Sequence, residues 1–247
     1  MKANQEWVYG LHSLESILTV DPSRILHLYV QETRRDDKTQ RLAQLSQKQG
    51  IAISYVSRDV LDSMTKDGNH QGIAALCKPM RMLNENNIEE ILQAAPQPAL
   101  ILVLDGVQDP HNLGAIFRTA DATGVAAIIA PKDNAVSITP TVTKVASGAV
   151  ASVPFIQVTN LVRTLEILKT AGFWIYGTDD AVKETLYDLK LQGSIALVLG
   201  AEGKGLRRLT REHCDVLVNI PMLGRISSLN VSVAAGVCLY EIVRQRR

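Results

Sequence analysis

Leu100-Ile101-Leu102-Val103-Leu104 is an unbroken aliphatic run that ends on Asp105 and Gly106. A strand apolar at every position has both faces covered, which is the habit of parallel sheets rather than of half-exposed antiparallel ones. Helical spacing follows at 113–122, and a second apolar run at 126–130 returns to strand. The same alternation predicts a helix at 161–170 and strands at 173–177, 195–199 and 216–220, before a last helix of small and apolar residues. The fold class expected is α/β, a mostly parallel sheet with helices on both faces. Ligands of such sheets sit beyond the carboxyl ends of the strands.

Upstream the elements are shorter. Helices are predicted at 11–18, 38–48 and 60–64, and strands at 25–30, 51–56 and 72–76, which makes a small α/β domain. From 78 to 98 the β-branched runs stop and Asn84, Asn86, Asn87, Pro96 and Pro98 appear, so this stretch reads as a linker with a short helix at 88–92. Three parts are expected: a first domain at 1–77, a linker at 78–98 and a larger domain at 99–247.

Composition narrows the classes. At 247 residues, 46% hydrophobic and 21% charged, the chain is globular and long enough for two cores. No apolar run approaches the roughly 18 residues that span a bilayer, and residues 1–9 lack the apolar core of a secretion signal; no membrane partner and a cytoplasmic location are expected. Cys77, Cys214 and Cys238 are odd in number and far apart, which fits reduced, buried thiols rather than disulfides or zinc. His12, His27, His70, His111 and His213 show no metal-ligand spacing, so no metal is expected. A net charge of +1 leaves no global footprint of nucleic-acid binding. The basic clusters at Arg34, Arg35, Lys38 and Arg41, at Arg207, Arg208 and Arg211, and at Arg244, Arg246 and Arg247 read first as solvated faces.

Three strand ends carry unusual loops. After the first, Asn112 is placed to cap the following helix. Arg118, six residues on, sits among Ile116, Phe117 and Ala120, which look buried. Its stem leans toward the helix N-terminus and could return the guanidinium over the ~9 Å of rise to the strand-end crevice. The alternative is a structural pair with a buried carboxylate. The second loop, Leu199-Gly200-Ala201-Glu202-Gly203-Lys204-Gly205, is either a tight turn or a backbone that approaches a ligand closely. It matches neither the dinucleotide G-x-G-x-x-G nor the phosphate-loop spacing, which counts against a nucleotide-dependent oxidoreductase on a doubly wound fold. The third, from Ile220 through Ser228 and Asn230 to Val231, lies at a helix N-terminus, where polar ligands are readily held. Ser228 is a natural cap there, which leaves Arg225 and Asn230 unexplained. Asp105, Asp179 and Asp180, also at strand ends, suit either a ligand or a turn.

Asn112 with Arg118, Glu202 in the glycine loop, and Ser228 with Asn230 follow in order the three motifs of the SpoU-type RNA ribose 2′-O-methyltransferases of the SPOUT superfamily, and the chain resembles that family over essentially its whole length. Val8-Tyr9-Gly10-Leu11-His12-Ser13 and His70-Gln71-Gly72-Ile73 are similar to the family's small RNA-binding domain, whose fold is like that of a ribosomal protein. The resemblance is nearest to bacterial members that methylate a guanosine ribose in 23S ribosomal RNA. It implies an S-adenosyl-L-methionine donor, a homodimer and a deep C-terminal trefoil knot. It also implies catalytic roles for Asn112, Arg118, Glu202, Ser228 and Asn230, with Asn112 and Glu202 orienting Arg118. Donor contacts are implied for Gly177, Thr178, Leu199, Gly200, Glu202, Gly203, Ile220, Pro221, Met222, Ser228, Leu229 and Val231. Arg118 is read either as a base or, since arginine stays protonated at ordinary pH, as an electrostatic positioner. A transfer-RNA ribose methyltransferase would share these motifs. A non-catalytic RNA-binding protein on the same scaffold should have lost Arg118, Glu202 or Asn230, and all three are present.

Overall fold

The computed structural model describes residues 5–247; residues 1–4, part of the opening segment read above for a secretion signal, lie outside them. The chain forms two compact units, one of Met1–Arg81 with Ser147–Ser152, the other of Met82–Ala146 with Val153–Arg247.

In the first unit the order is β1 (Glu6–Tyr9), α1 (Leu11–Val20), β2 (Ile25–Gln31), α2 (Asp37–Lys48), β3 (Ile53–Val56), α3 (Arg58–Thr65) and β4 (Ile73–Cys77). The sheet runs β1-β4-β2-β3, with β4 antiparallel to both neighbours and β2 parallel to β3. Leu14, Ile17 and Leu18 of α1 pack on Leu28, Val30 and Ile73 to form its core. Strand β1 was not expected: its four residues are too few to show a period, and they pair with β4, far along the chain. His70 is buried in this unit, with Nδ1 accepting from the Gly72 amide at 2.9 Å and Nε2 2.9 Å from Asp62 Oδ1.

Asp36 caps α2, accepting from the Thr39 amide at 3.1 Å and the Thr39 hydroxyl at 2.9 Å. The hydrogen bond from Arg34 and those from Thr39 outweigh burial and hold its carboxyl at about 2, below the ordinary 3.8. Because the folded value is the lower one, the carboxylate's stabilisation is complete above the ordinary value and is lost as pH falls through the folded one. Asp36→Ala should therefore cost about 0.5–2 kcal/mol near neutral pH. The gap in melting temperature from the wild type should narrow as the pH is taken from 3.8 down to about 2.

The second unit contains β5 (Leu83–Asn84), α4 (Ile88–Ala94), β6 (Leu100–Asp105), α5 (Pro110–Ala122), β7 (Ala127–Pro131) and α6 (Pro140–Ala146). The short α7 (Ala149–Ser152) belongs with the first unit. The second unit resumes with β8 (Phe155–Val158), α8 (Leu161–Thr170), β9 (Trp174–Thr178), β10 (Ile195–Gly200), α9 (Arg208–Glu212), β11 (Val216–Val218) and α10 (Val231–Arg246). Its seven strands lie in the order β11-β9-β10-β6-β7-β8-β5, and every neighbouring pair is parallel. The fold class is thus α/β with a parallel sheet, as expected. The chain leaves β6 toward β7 on one side and leaves β10 toward β11 on the other, so the direction of winding reverses between them. A crevice opens at such a reversal.

Leu83 and Asn84, within the stretch expected to be a linker, pair with Ile156 and Gln157, and Ile88 of α4 is fully buried. The asparagines that signalled a linker form a capping box instead: Asn84 accepts from the Asn86 amide at 3.0 Å and donates its own amide to Asn87 at 3.1 Å. Arg246 likewise departs from the expected solvated face. Its guanidinium reaches the carbonyls of Pro98, Ala99 and Gly193 at 3.2, 3.3 and 2.5 Å, pinning the end of α10, and burial pulls its pKa down. Burial pushes the free thiols of Cys77, Cys214 and Cys238 up to about 12. Among the described residues no helix is long and apolar enough to cross a membrane.

Candidate functional site

The site lies beyond the carboxyl ends of β6, β9, β10 and β11. Strand β6 ends on Asp105, whose side chain is fully buried and accepts from the amide and Nε of Arg207 at 2.9 and 2.5 Å. This pair ties the loop after β10 to the end of β6. The loop is a closed hairpin, with the Ala201 amide 3.1 Å from the Gly205 carbonyl and the Gly205 amide 2.9 Å from the Ala201 carbonyl. A Cβ on Gly200 would fall 2.2 Å from the Gly205 carbonyl carbon, and Gly203 and Gly205 have φ of +74° and +63°. The glycines therefore build the turn itself, with Glu202 in its tip.

Asp109, not Asn112, is the N-cap of α5, accepting from the His111 amide at 2.8 Å with Pro110 in the first turn. Asn112 is buried and released from capping. Its Nδ2 donates to Glu202 Oε2 at 3.4 Å, and its Oδ1 accepts from Asn230 Nδ2 at 3.0 Å. Asn230, not Ser228, is the N-cap of α10, its Oδ1 accepting from the amide and hydroxyl of Ser232 at 2.9 and 2.6 Å. The expectation that capping leaves Asn230 unexplained is corrected, since one end of the carboxamide caps while the other joins Asn112. A chain of hydrogen bonds from Glu202 through Asn112 to Asn230 thereby links all three loops.

Arg118 stands outside this chain. It is exposed on α5 and lines neither of the cavities described next. Six residues advance a helix by about 240°, so the stem that could cover the axial distance starts from a different face. Glu202 and Asn112 bond to each other rather than orienting Arg118.

Two cavities flank the glycine hairpin. The first, about 330 Å³, is lined by Thr178, Leu199, Gly200, Glu202, Gly203, Ile220, Met222, Ser228, Leu229 and Val231 from the expected set. Gly177 and Pro221 are not in its lining. Gly177 instead makes room for packing: a Cβ there would meet Cys214 Sγ at 2.6 Å and Leu206 at 2.9 Å. The cavity adds Asp179, Asp180 and Asn219. The two acids were legible as strand-end residues. Asn219 was hidden in a run read as strand to 220, whereas β11 stops at Val218. Its Nδ2 donates to the Val182 carbonyl, while its Oδ1 is buried with no partner among the described residues. Burial raises the Asp179 pKa, but hydrogen bonds from Arg211 and the Ala181 amide prevail and the net shift is downward. The second cavity, about 430 Å³, lies across the hairpin against Asp105, Gln108, Asp109, Asn112, Asn134 and Arg207. Glu202 and Val231 line both.

The model of the SpoU rRNA Methylase family matches residues 99–240, and that of RNA 2'-O ribose methyltransferase substrate binding matches 7–83. The chain is 51% identical to the 23S rRNA (guanosine-2'-O-)-methyltransferase RlmB of Vibrio cholerae, over 98% of each chain. It is 49% identical to that of Coxiella burnetii, over 97% of this chain and 95% of the other. Among solved structures it is similar to the SpoU methyltransferase AviRb from Streptomyces viridochromogenes in complex with AdoMet, at 25% identity and a TM-score of 0.79, covering 99% of this chain and 92% of that one. It is also similar to an RNA 2'-O ribose methyltransferase at 28% identity and a TM-score of 0.78, covering 99% and 90%. Agreement of that extent, with the Asn112, Glu202 and Asn230 loops joined as they are, makes this chain a member of the SpoU rRNA methylase family.

Proposed function

We propose that this protein transfers a methyl group from S-adenosyl-L-methionine to the ribose 2′-hydroxyl of a guanosine in 23S ribosomal RNA. The observation that carries this reading is the hydrogen-bonded chain of Glu202, Asn112 and Asn230 set between two adjoining cavities, in a chain about half identical to named 23S rRNA guanosine methyltransferases.

The first cavity fits the donor. Its volume suits a small-molecule site, Leu199, Ile220, Met222 and Leu229 offer an apolar slot for adenine, and the unpartnered Asn219 Oδ1 awaits a donor group. Asp179 and Asp180 are placed for ribose hydroxyls or the ammonium, and Ser228 for a further polar contact. When bound, the donor supplies an electrophilic methyl on a sulfonium.

A ribose hydroxyl is a weak acid and a poor nucleophile, so the protein must align it, favour loss of its proton and exclude water. Glu202 lines both cavities. Asn112 holds its Oε2, leaving Oε1 to receive the hydroxyl's hydrogen at the junction. Asn230 fixes Asn112, and Ser228 borders the donor side. Arg118 acts as an electrostatic positioner, its exposed guanidinium holding an RNA phosphate outside the two cavities.

The proposed division is 1–77 for RNA binding and 99–247 for catalysis, supported by the substrate-binding match at 7–83 and the methylase match at 99–240; from Met82 the stretch between them belongs to the catalytic unit. Exposed Val233 and Tyr240 on one face of α10, with Leu223 and Ile226 in the loop before it, support a homodimer. A trefoil knot is supported by β11 lying outside β9 while α10 returns to pack on α5. A ribosomal RNA substrate supports action in the cytoplasm.

Labelled donor should be offered with protein-free 23S RNA and, separately, with bulk transfer RNA. The expected result is label on a guanosine 2′-oxygen of 23S RNA; label confined to transfer RNA would refute the substrate.

A further inference from the structure

We infer that the second cavity is the chamber for the target guanosine and that Asp109 reads its base. This rests on the methyl-transfer reading above and adds the residues that choose the nucleotide. The chamber, about 430 Å³, has room for a nucleoside, and its wall is shared with the donor cavity through Glu202, Leu206 and Val231. A ribose against that wall presents its 2′-hydroxyl toward the donor while the base extends to the far side.

Gln108, Asp109 and Asn134 line this cavity and not the donor cavity. They come from two loops fastened together by the Val136 amide on the Val107 carbonyl at 2.8 Å and by Gln108 Nε2 on the Asn134 carbonyl at 3.4 Å. Guanine presents two hydrogen donors, N1–H and the 2-amino group, beside one acceptor, O6. A carboxylate matches the donors, and an amide N–H matches O6. Three carboxylates line the chamber. Asp105 is fully engaged by Arg207 through both oxygens, and Glu202 is tied to Asn112 at the shared wall. Asp109 uses only Oδ1, for the His111 amide, so Oδ2 is open to the base. The long Gln108 contact can be exchanged for O6 at little cost. Adenine would set its N1 lone pair against the carboxylate and is rejected. Lys204 and the half-exposed Arg207 line the same cavity and offer positive charge to the backbone phosphate. The base edge must be unpaired to be read this way, so the target is a flipped or loop nucleotide.

The test uses the full-length protein and 23S RNA fragments carrying guanosine or inosine at the target, since inosine lacks only the 2-amino group. Wild-type kcat/KM should fall at least ~10-fold on inosine, as a site built to bond a group rejects its absence. Asp109→Asn keeps a favoured N-cap; it should lose ~10-fold or more on guanosine, bring the two substrates close to equal rates and leave donor affinity unchanged. Gln108→Leu should slow guanosine and inosine alike, because both carry O6. Equal wild-type rates on the two RNAs, a full guanosine preference in folded Asp109→Asn, or unaltered rates in Gln108→Leu would each overturn the inference. Absence of label from the guanosine RNA with wild-type protein would instead overturn the methyl-transfer reading.

Discussion

Arg118→Ala is expected to lower kcat on 23S RNA by about 100-fold or more while donor affinity stays within about twofold. The split follows from position. Arg118 is exposed on α5, takes no part in the Glu202–Asn112–Asn230 chain and does not line the first cavity, proposed for the donor. Its loss should therefore leave the first cavity intact and remove the charge proposed to act on RNA. As an exposed helix residue it should also change folding stability by no more than about 0.5 kcal/mol. Arg118→Lys should recover only part of the rate, because an ammonium lacks the planar fork that grips phosphate at two points. Single-turnover rates with calorimetric titration of the donor separate the two effects. Near-normal turnover in Arg118→Ala would end the assignment of this residue to the reaction.

Gly200→Ala should act on the opposite side of that division, weakening donor binding by about 10-fold or more and destabilising the protein by about 1–3 kcal/mol. The added Cβ would lie 2.2 Å from the Gly205 carbonyl carbon, 2.4 Å from its oxygen and 2.5 Å from the Leu206 amide. All three are backbone atoms, so no side chain can rotate away, and the hairpin that walls both cavities must open. Gly172→Ala is the control: a Cβ there meets nothing within 4 Å, only its φ of +87° is strained, and it lines neither cavity. It should cost about 1–2 kcal/mol and leave donor affinity nearly unchanged. Thermal melts and donor titration of both variants make the comparison. Unchanged donor binding in Gly200→Ala would show that the hairpin does not shape the cavity.

What periodicity could reveal, it revealed where burial is uniform along an element. The aliphatic runs of β6 and β10 and the helical stripe of α8 lie where they were expected, because covered strands and half-buried helices write their surroundings into local residue order. Strands β5 and β8 were missed because two and four residues carry no period; they are strands by virtue of their neighbours. The site divides in the same way. Ten of the twelve residues expected around the donor do line the first cavity, since strand ends and glycine turns mark where a parallel sheet opens. Gly177, at such a strand end, is occupied with packing against Cys214 and Leu206.

By itself the sequence determined the fold class, the three strand-end loops and the kinds of chemistry they carry, because these depend on local pattern and residue type. Tertiary structure alone decided how the polar groups are shared out. Several nearby residues were able to cap α5 and α10, and the choice fell to Asp109 and Asn230, which left Asn112 to bridge Glu202 and Asn230 from positions 90 and 118 residues away. It likewise sent Arg246 to three carbonyls and left Arg118 facing solvent. A hydrogen bond depends on distance and angle between groups the chain brings together only on folding, and residue spacing does not encode either.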